Sequence, residues 1–161
     1  MSSFNRRSIL ALLVLAGCGF APALGTGGAA RGLLGRVQAA TPKDQADFDF
    51  VRRIEERLGR VSVPVYDLTY AIDTDATGVA ITAEGAITRY NLTGVAKWSL
   101  IRLDGGALVT GGLVDSFTSY SATGSTVAGL AAKEDAERRL MVILADQIVL
   151  RLLATSASLL P

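Results

Sequence analysis

The side chains that could carry catalysis in this sequence are few. Its 161 residues include no histidine and a single cysteine, Cys18. These counts exclude Ser-His-Asp and Cys-His catalysis, His-ligated metals, an internal disulfide and a zinc knuckle. The acid pair Asp47 and Asp49 has side chains suited to acid–base chemistry, but nothing in the pattern indicates that the two carboxylates are buried or convergent. We therefore predict a non-enzymatic protein with no catalytic residue, no cofactor and no metal ion.

Cys18 lies in a context that predicts covalent modification. Arg6 and Arg7 precede an apolar stretch over residues 9–16, which has secretory length and is shorter than the roughly 20 residues of a membrane span. The stretch ends in Leu15-Ala16-Gly17-Cys18, which fits the bacterial lipobox L-[AS]-[GA]-C. In that motif the thiol is joined to diacylglycerol and the signal is cut before the cysteine. We predict lipidation at Cys18; the alternative is an ordinary signal peptide with an incidental cysteine.

Cleavage before Cys18 divides the chain. We predict a signal peptide at 1–17, a lipidated N-terminus and flexible tether at 18–32, one folded domain at 33–154 and a frayed tail at 155–161. Losing two arginines reduces the 16 basic residues to 14, against 15 acidic residues, a balance with no general attraction to nucleic acid. The two arginines leave both the general and the twin-arginine export routes open. The residue after the cysteine is Gly19, and because an aspartate there retains enterobacterial lipoproteins at the inner membrane, its absence favours the outer membrane.

A calcium-loop template occurs in the middle of the chain. Residues 73–78, followed by Glu84, fit the spacing D-x-D-x-x-G-x5-E. The template requires flanking helices, whereas the preceding segment has the alternation of a strand. Ile81 also occupies a position where a polar or water-mediated ligand is usual. We predict a turn between strands, with Asp and Gly present for turn chemistry.

The elements that position these residues follow from local patterns. A short first strand falls within 33–39, and Thr41-Pro42-Lys43-Asp44 provides an N-cap for a helix that Gly59 ends. The hydrophobic period then changes from 3.6 to 2. The later predictions are strands over 65–72, 87–103 and 107–120, a tight turn at Asp104-Gly105, a bulge or bend at Gly111-Gly112, a loop over 119–125 and a closing helix over 127–154.

The order β-α-β-β-β-α predicts an α+β fold, with two helices packed on one face of a roughly four-stranded, mostly antiparallel sheet. Both helices have an apolar stripe that would contact the sheet, formed by Phe50, Ile54 and Leu58 in the first and by Leu140, Leu144, Ile148 and Leu152 in the second. The charges at 52–57 lie mostly off the first stripe. They form either a docking face or a solvated helix surface.

The long central strand has two chemically different faces. One face carries apolar side chains: Tyr90, Leu92, Ala96, Trp98 and Leu100. The other carries polar ones: Arg89, Asn91, Thr93, Lys97 and Ser99. Exposed bases among polar neighbours suit a phosphorylated sugar. The alternative is that the two bases are solvated or salt-bridged sheet residues.

Four segments together resemble one bacterial family. These are Cys18-Gly19-Phe20-Ala21-Pro22 at the mature N-terminus, residues 88–92 of the long strand, 116–121 of its partner and 145–148 of the last helix. They resemble LptE, the lipopolysaccharide-assembly lipoprotein family, in its alphaproteobacterial members. The resemblance extends over the mature chain in element order, and it implies a fold of two helices against a four-stranded sheet.

The resemblance also implies a function. Members of the family sit inside the LptD β-barrel at the outer membrane, as a plug that assists barrel assembly and lipopolysaccharide delivery. It implies lipopolysaccharide as a ligand and attachment to the outer membrane through the lipid on Cys18. The polar face of the long strand, and not the resemblance, supplies Arg89 and Lys97 as the candidate lipopolysaccharide contacts. The alternatives are another outer-membrane lipoprotein module, such as a secretin pilot or an envelope scaffold protein, and, more remotely, a hydrolase.

Overall fold

The helices and strands follow the predicted order. The computed structural model describes residues 28–159, so Cys18 and the predicted signal peptide lie outside the described residues. The elements are a 3-10 helix (Ala29–Leu33), β1 (Val37–Ala39), α1 (Gln45–Leu58), β2 (Tyr66–Ile81), β3 (Ile87–Arg102), β4 (Leu108–Ser121) and α2 (Thr126–Leu159). The sheet has the order β1-β2-β3-β4, parallel between β1 and β2 and antiparallel elsewhere. The predicted α+β fold, with two helices and four mostly antiparallel strands, is confirmed.

Both ends of the folded part differ from the prediction. The predicted domain started at residue 33, but a 3-10 helix begins at Ala29 and buries Ala30 and Leu33 completely. The predicted first strand over 33–39 shortens to Val37–Ala39 because this 3-10 turn takes its first residues. The closing helix continues to Leu159, past the predicted end at 154, and Ser156 is buried in it.

Helix α1 begins three residues later than Thr41-Pro42 suggests. The Asp44 carboxylate accepts a hydrogen bond of 2.8 Å from the Asp47 backbone N–H, so Asp44 is the N-cap. Thr41 and Pro42 lie in the connection that leaves β1. Gly59 ends the helix with a φ of 81°, as predicted.

Strand β2 is twice as long as predicted, and the turn predicted at residues 73–78 is wrong. These residues pair with β3, from Asp73 opposite Val95 to Gly78 opposite Tyr90. The chain turns later, where Gly85 has a φ of 85° and its N–H donates to the Thr82 carbonyl at 3.0 Å. Long-range pairing has overridden the local turn signal, because β3 offers a partner to each of residues 73–78.

The bulge predicted at Gly111-Gly112 is also wrong. Both glycines stay in register, opposite Ser99 and Trp98, and the irregularity lies at Leu100 and Ile101 of β3. Close approach explains Gly111 instead, whereas no atom of the neighbouring backbone crowds Gly112. A Cβ on Gly111 would lie 2.8 Å from the Trp98 carbonyl oxygen, so a side chain would collide with the neighbouring strand.

The core lies between the sheet and the two helices. Even-numbered residues of β3 from Leu92 to Leu100 are buried, whereas the odd-numbered ones between them are exposed or half-buried. Helix α2 approaches β3 at Gly94, where a Cβ would lie 2.9 Å from the Leu140 Cδ2 atom. The predicted stripes are confirmed, since their members are at most 1% exposed. None of the helices within residues 28–159 combines the length and apolar character that crossing a membrane requires.

Candidate functional site

The sheet has one face without helices, which we call the open face. It consists of the odd-numbered residues of β2 up to Thr77, of β3, and of β4 from Gly111 onward, which stand beside one another in the register. The polar residues that the sequence assigned to one face of the long strand all lie here. The open face therefore holds the predicted ligand-binding side chains.

Lys97 lies exposed near the middle of the open face. It stands between Ala71 of β2 and Leu113 of β4. Its diagonal neighbours include Asp73 on one side and Asp115 on the other, a spacing of about 7–8 Å between Cα atoms. Two carboxylates thus offset the charge of Lys97 at medium range, although neither forms an ion pair with it.

Arg89 lies exposed near the end of the open face, in a different electrostatic setting. It pairs with Ala80 and Ser121, and none of its paired or diagonal neighbours on the flanking strands is acidic. Eight residues separate it from Lys97, or roughly 26 Å along the strand. The structure places the two bases on one face, as predicted, but does not bring them together.

An apolar strip on the open face was missed by the sequence analysis. It consists of Val95, Leu113 and Phe117, which are 43%, 58% and 66% exposed. Val95 is the diagonal neighbour of both β4 residues, and Asp115, directly opposite Val95, lies between these two on the same face. The turn at Asp104-Gly105 alone could not have revealed this strip, because the irregularity between Leu100 and Ile101 shifts the register of β4 by one residue.

The charges of α1 lie mostly on the exposed helix surface that was one of the two alternatives, but two of them also contact α2. The Arg53 guanidinium donates two hydrogen bonds to Asp146 of α2, at 3.0 and 2.9 Å, and Arg57 lies 3.8 Å from the same carboxylate. The hydrogen bonds to Asp146, then to Glu56, raise the pKa of Arg53 above its ordinary value. These residues join the two helices, which local sequence spacing could not reveal.

The candidate acid pair does not converge. Asp49 is buried and pairs with Arg52 at 3.0 Å and with Arg138 of α2 at 3.9 Å. Asp47 instead accepts a hydrogen bond from the Lys43 backbone N–H. Within residues 28–159, no group of three or more acidic or thiol side chains is arranged to hold a metal ion.

Solved structures share this fold. A lipoprotein candidate from Caulobacter crescentus is 20% identical, with a TM-score of 0.68, over 83% of this chain and 98% of that one. The rare lipoprotein B from Shewanella oneidensis is 12% identical, with a TM-score of 0.59, over 77% and 96%. A minor lipoprotein from Acinetobacter baumannii is 17% identical, with a TM-score of 0.53, over 78% and 92%. At these identities the likeness concerns the fold.

The sequence itself carries the family assignment. No curated protein is significantly similar to this chain. The family model described as LptE, lipopolysaccharide-assembly, matches residues 34–152. That range runs from before β1 to the last turns of α2 and includes the whole sheet. Because the match extends over most of the chain, this protein belongs to the LptE lipopolysaccharide-assembly family.

Proposed function

We propose that this protein is a lipid-anchored lipoprotein on the periplasmic side of the outer membrane. There it acts, without enzymatic activity, as the plug and assembly partner of an LptD-type β-barrel in lipopolysaccharide transport to the cell surface. The observation that carries the proposal is the family match over residues 34–152. The lipobox ending at Cys18 supports the membrane attachment.

The open face supports a role in protein contact. Its three long strands run for 14 to 16 residues each, or roughly 50 Å. The apolar strip supplies burial at the centre of such a contact, and the surrounding aspartates, bases and hydroxyls keep the unbound protein soluble. Phe117 is the aromatic member of the strip and its most exposed side chain, so we expect it to act as an anchor in the barrel contact.

Co-purification from detergent-solubilised outer membranes tests the partner. We expect the wild type to recover a large β-barrel protein at one-to-one stoichiometry. Leu113→Lys with Phe117→Lys should reduce that recovery at least about tenfold, because two desolvated anchors are lost from the contact. Quantitative mass spectrometry of the eluate measures the ratio.

The matched control places the same charges on exposed apolar residues of α2. Val127→Lys with Leu150→Lys changes side chains that are 77% and 57% exposed, and it should leave barrel recovery unchanged. If this control loses the barrel while the strip variant keeps it, the contact lies on α2. Recovery of a secretin ring by the wild type would contradict the plug and favour a pilot protein.

A second prediction concerns lipopolysaccharide binding on the open face. It is tested with soluble protein that lacks residues 1–18. Arg89→Glu with Lys97→Glu should weaken binding at least about tenfold, because each change removes a charge-assisted contact to phosphate and adds repulsion. We expect Arg89→Glu alone to account for most of the loss, since Asp73 and Asp115 offset Lys97. Titration with purified lipopolysaccharide measures the change.

Arg36→Glu with Arg60→Glu makes the same change of net charge on exposed bases away from the open face. This control separates local contact from general electrostatic attraction. Equal loss in both double variants would contradict a site at Arg89 and Lys97. Unchanged binding by a folded Arg89 and Lys97 variant would remove these residues from the site without affecting the barrel proposal.

A further inference from the structure

Strand β2 has an edge that no strand covers in the part of the chain that the structure describes. Its neighbour β1 has only three residues, Val37–Ala39. The Ala40 N–H donates to the Leu68 carbonyl at 2.9 Å, and the chain then leaves the sheet toward α1. Beyond Leu68, β2 continues for 13 residues with β3 on one side only. The length of β1 therefore decides how much of β2 is open.

The hydrogen bonds of β2 show which of its backbone N–H and C=O groups point away from β3. The Val65 carbonyl accepts from Leu103 on the β3 side, whereas the Leu68 carbonyl faces β1. Backbone direction alternates along a strand, so even-numbered residues point their N–H and C=O groups away from β3. The outward residues before the irregularity at Gly78 are Tyr70, Ile72, Thr74 and Ala76. We call Tyr70–Ala76 the β2 edge; it is about 20 Å long.

The opposite edge of the sheet, on β4, is partly covered by side chains of α2. There, Gln147 of α2 donates to the Asp115 carbonyl at 3.1 Å, and Arg139 donates to the Ser119 carbonyl at 3.3 Å. Side chains of the helix thus occupy outward backbone groups and obstruct an added strand. Among residues 28–159, no side chain makes such a contact with the outward groups of Ile72, Thr74 or Ala76.

The negative charge of β2 favours a basic segment as the occupant of the β2 edge. Strand β2 contains Asp67, Asp73 and Asp75 and no basic residue. Asp73 and Asp75 are exposed and belong to no ion pair within the described residues. Two copies of this chain paired antiparallel about Thr74 would place each Asp73 opposite an Asp75, which is unfavourable. A strand with basic residues at alternate positions would instead place opposite charges across the edge.

A negatively charged pocket, located where β1 leaves the sheet, also favours a basic side chain. A pocket of about 270 Å³ lies there, lined by Ala40, Tyr70 and the start of α1, including Asp44 and Asp47. Burial, with the negative charges of Asp47 and Asp44, raises the pKa of Tyr70 to about 12. Lys43 also lines the pocket and provides a single opposing charge. A basic side chain at the end of an added strand would enter a negative environment.

We propose that the β2 edge binds an extended segment of a partner polypeptide that carries lysine or arginine at alternate positions. The segment adds a strand that continues the line of β1. Its backbone pairs with Tyr70, Ile72, Thr74 and Ala76, and its basic side chains lie beside Asp73 and Asp75. The inference does not depend on the barrel proposal, because it rests on the edge and its charge alone.

The test uses the full-length protein in detergent and two blocked seven-residue peptides. One alternates threonine with lysine, and the other alternates threonine with glutamate. We expect the lysine peptide to bind at least about tenfold more tightly at low ionic strength. It should also slow amide hydrogen exchange at Ile72, Thr74 and Ala76, whose N–H groups point outward, more than at Asp73 and Asp75.

Two variants separate the backbone edge from the charges. Thr74→Pro removes one outward N–H that the β2–β3 ladder does not use, and it should abolish peptide binding while Thr74→Val retains it. Asp73→Lys with Asp75→Lys keeps the backbone intact and should reverse the preference toward the glutamate peptide. This charge variant keeps the inference testable if Thr74→Pro does not fold.

The outcomes that overturn the inference are specific. No preference between the peptides, or equal binding by folded Thr74→Pro and Thr74→Val, would show that the edge does not take a strand. A wild-type dimer in sedimentation that Thr74→Pro dissociates would identify a second copy as the occupant instead. If the peptides fail while a barrel protein still co-purifies, the strand inference fails and the proposed function stands.

Discussion

Replacing Gly94 with valine should lower the free energy of unfolding by about 1–3 kcal/mol, the usual cost of overpacking a core. Gly94 is the point of β3 over which helix α2 crosses. An added Cβ would lie 2.9 Å from the Leu140 Cδ2 atom and 3.2 Å from the Leu144 Cδ1 atom, before the two methyl groups of valine are placed. Both leucines are fully buried, so neither can move without displacing α2. Denaturant unfolding followed by circular dichroism measures the loss.

Gly112→Ala is the matched control for a glycine on the same face of the sheet. There, the closest atom to an added Cβ is the Arg151 Nη1 atom at 3.4 Å, the far end of a flexible side chain. We expect a change within about 0.5 kcal/mol. Adding Leu140→Ala to Gly94→Val should cost less than the sum of the two single changes, because the valine fills space that the leucine vacates. Additive losses would contradict direct contact between these positions.

The two faces of β3 could be predicted because they depend on local alternation. Residues from Arg89 to Leu100 change face with period 2, and a sheet with helices on one side buries one set. The extent of β2 could not be predicted in the same way. Residues 73–78 have the composition of a turn, and only the pairing with β3, distant in sequence, makes them a strand. Local signals and long-range pairing disagreed, and pairing determined the structure.

The features that bear on binding were the least predictable. The ion pair between Arg53 and Asp146 joins residues 93 positions apart. The apolar strip depends on the register of β4 against β3, and the β2 edge depends on β1 stopping at Ala39. None of these has a motif, because each arises where two elements meet. By contrast, the lipobox consists of four adjacent residues, so it can be recognised in the sequence without knowledge of the fold.

Replacing Cys18 with serine should abolish lipidation and leave a soluble or precursor form. The intact mass of the wild type should exceed that of the chain from Cys18 onward by a diacylglycerol group and usually one further acyl chain. Two or three buried chains hold a protein firmly at a membrane, whereas the variant carries no acyl chain. We therefore expect any variant protein that has lost its signal peptide to leave the membrane fraction in cells that lack a partner for the folded domain, whereas uncleaved precursor stays there through its apolar stretch over residues 9–16. Mass spectrometry and fractionation by ultracentrifugation measure the two effects.

Gly19→Asp is the matched control, because it changes the adjacent residue and leaves the thiol in place. In an enterobacterial host it should keep the acyl mass and move the protein to the inner membrane. A wild-type mature mass without added acyl groups would contradict lipidation outright. In the native host, a plug held inside a barrel has its protein contact as a second attachment, so we expect Cys18→Ser to retain partial function. A strain with normal protein levels and no function at all would count against the plug, because attachment would then depend on the lipid alone.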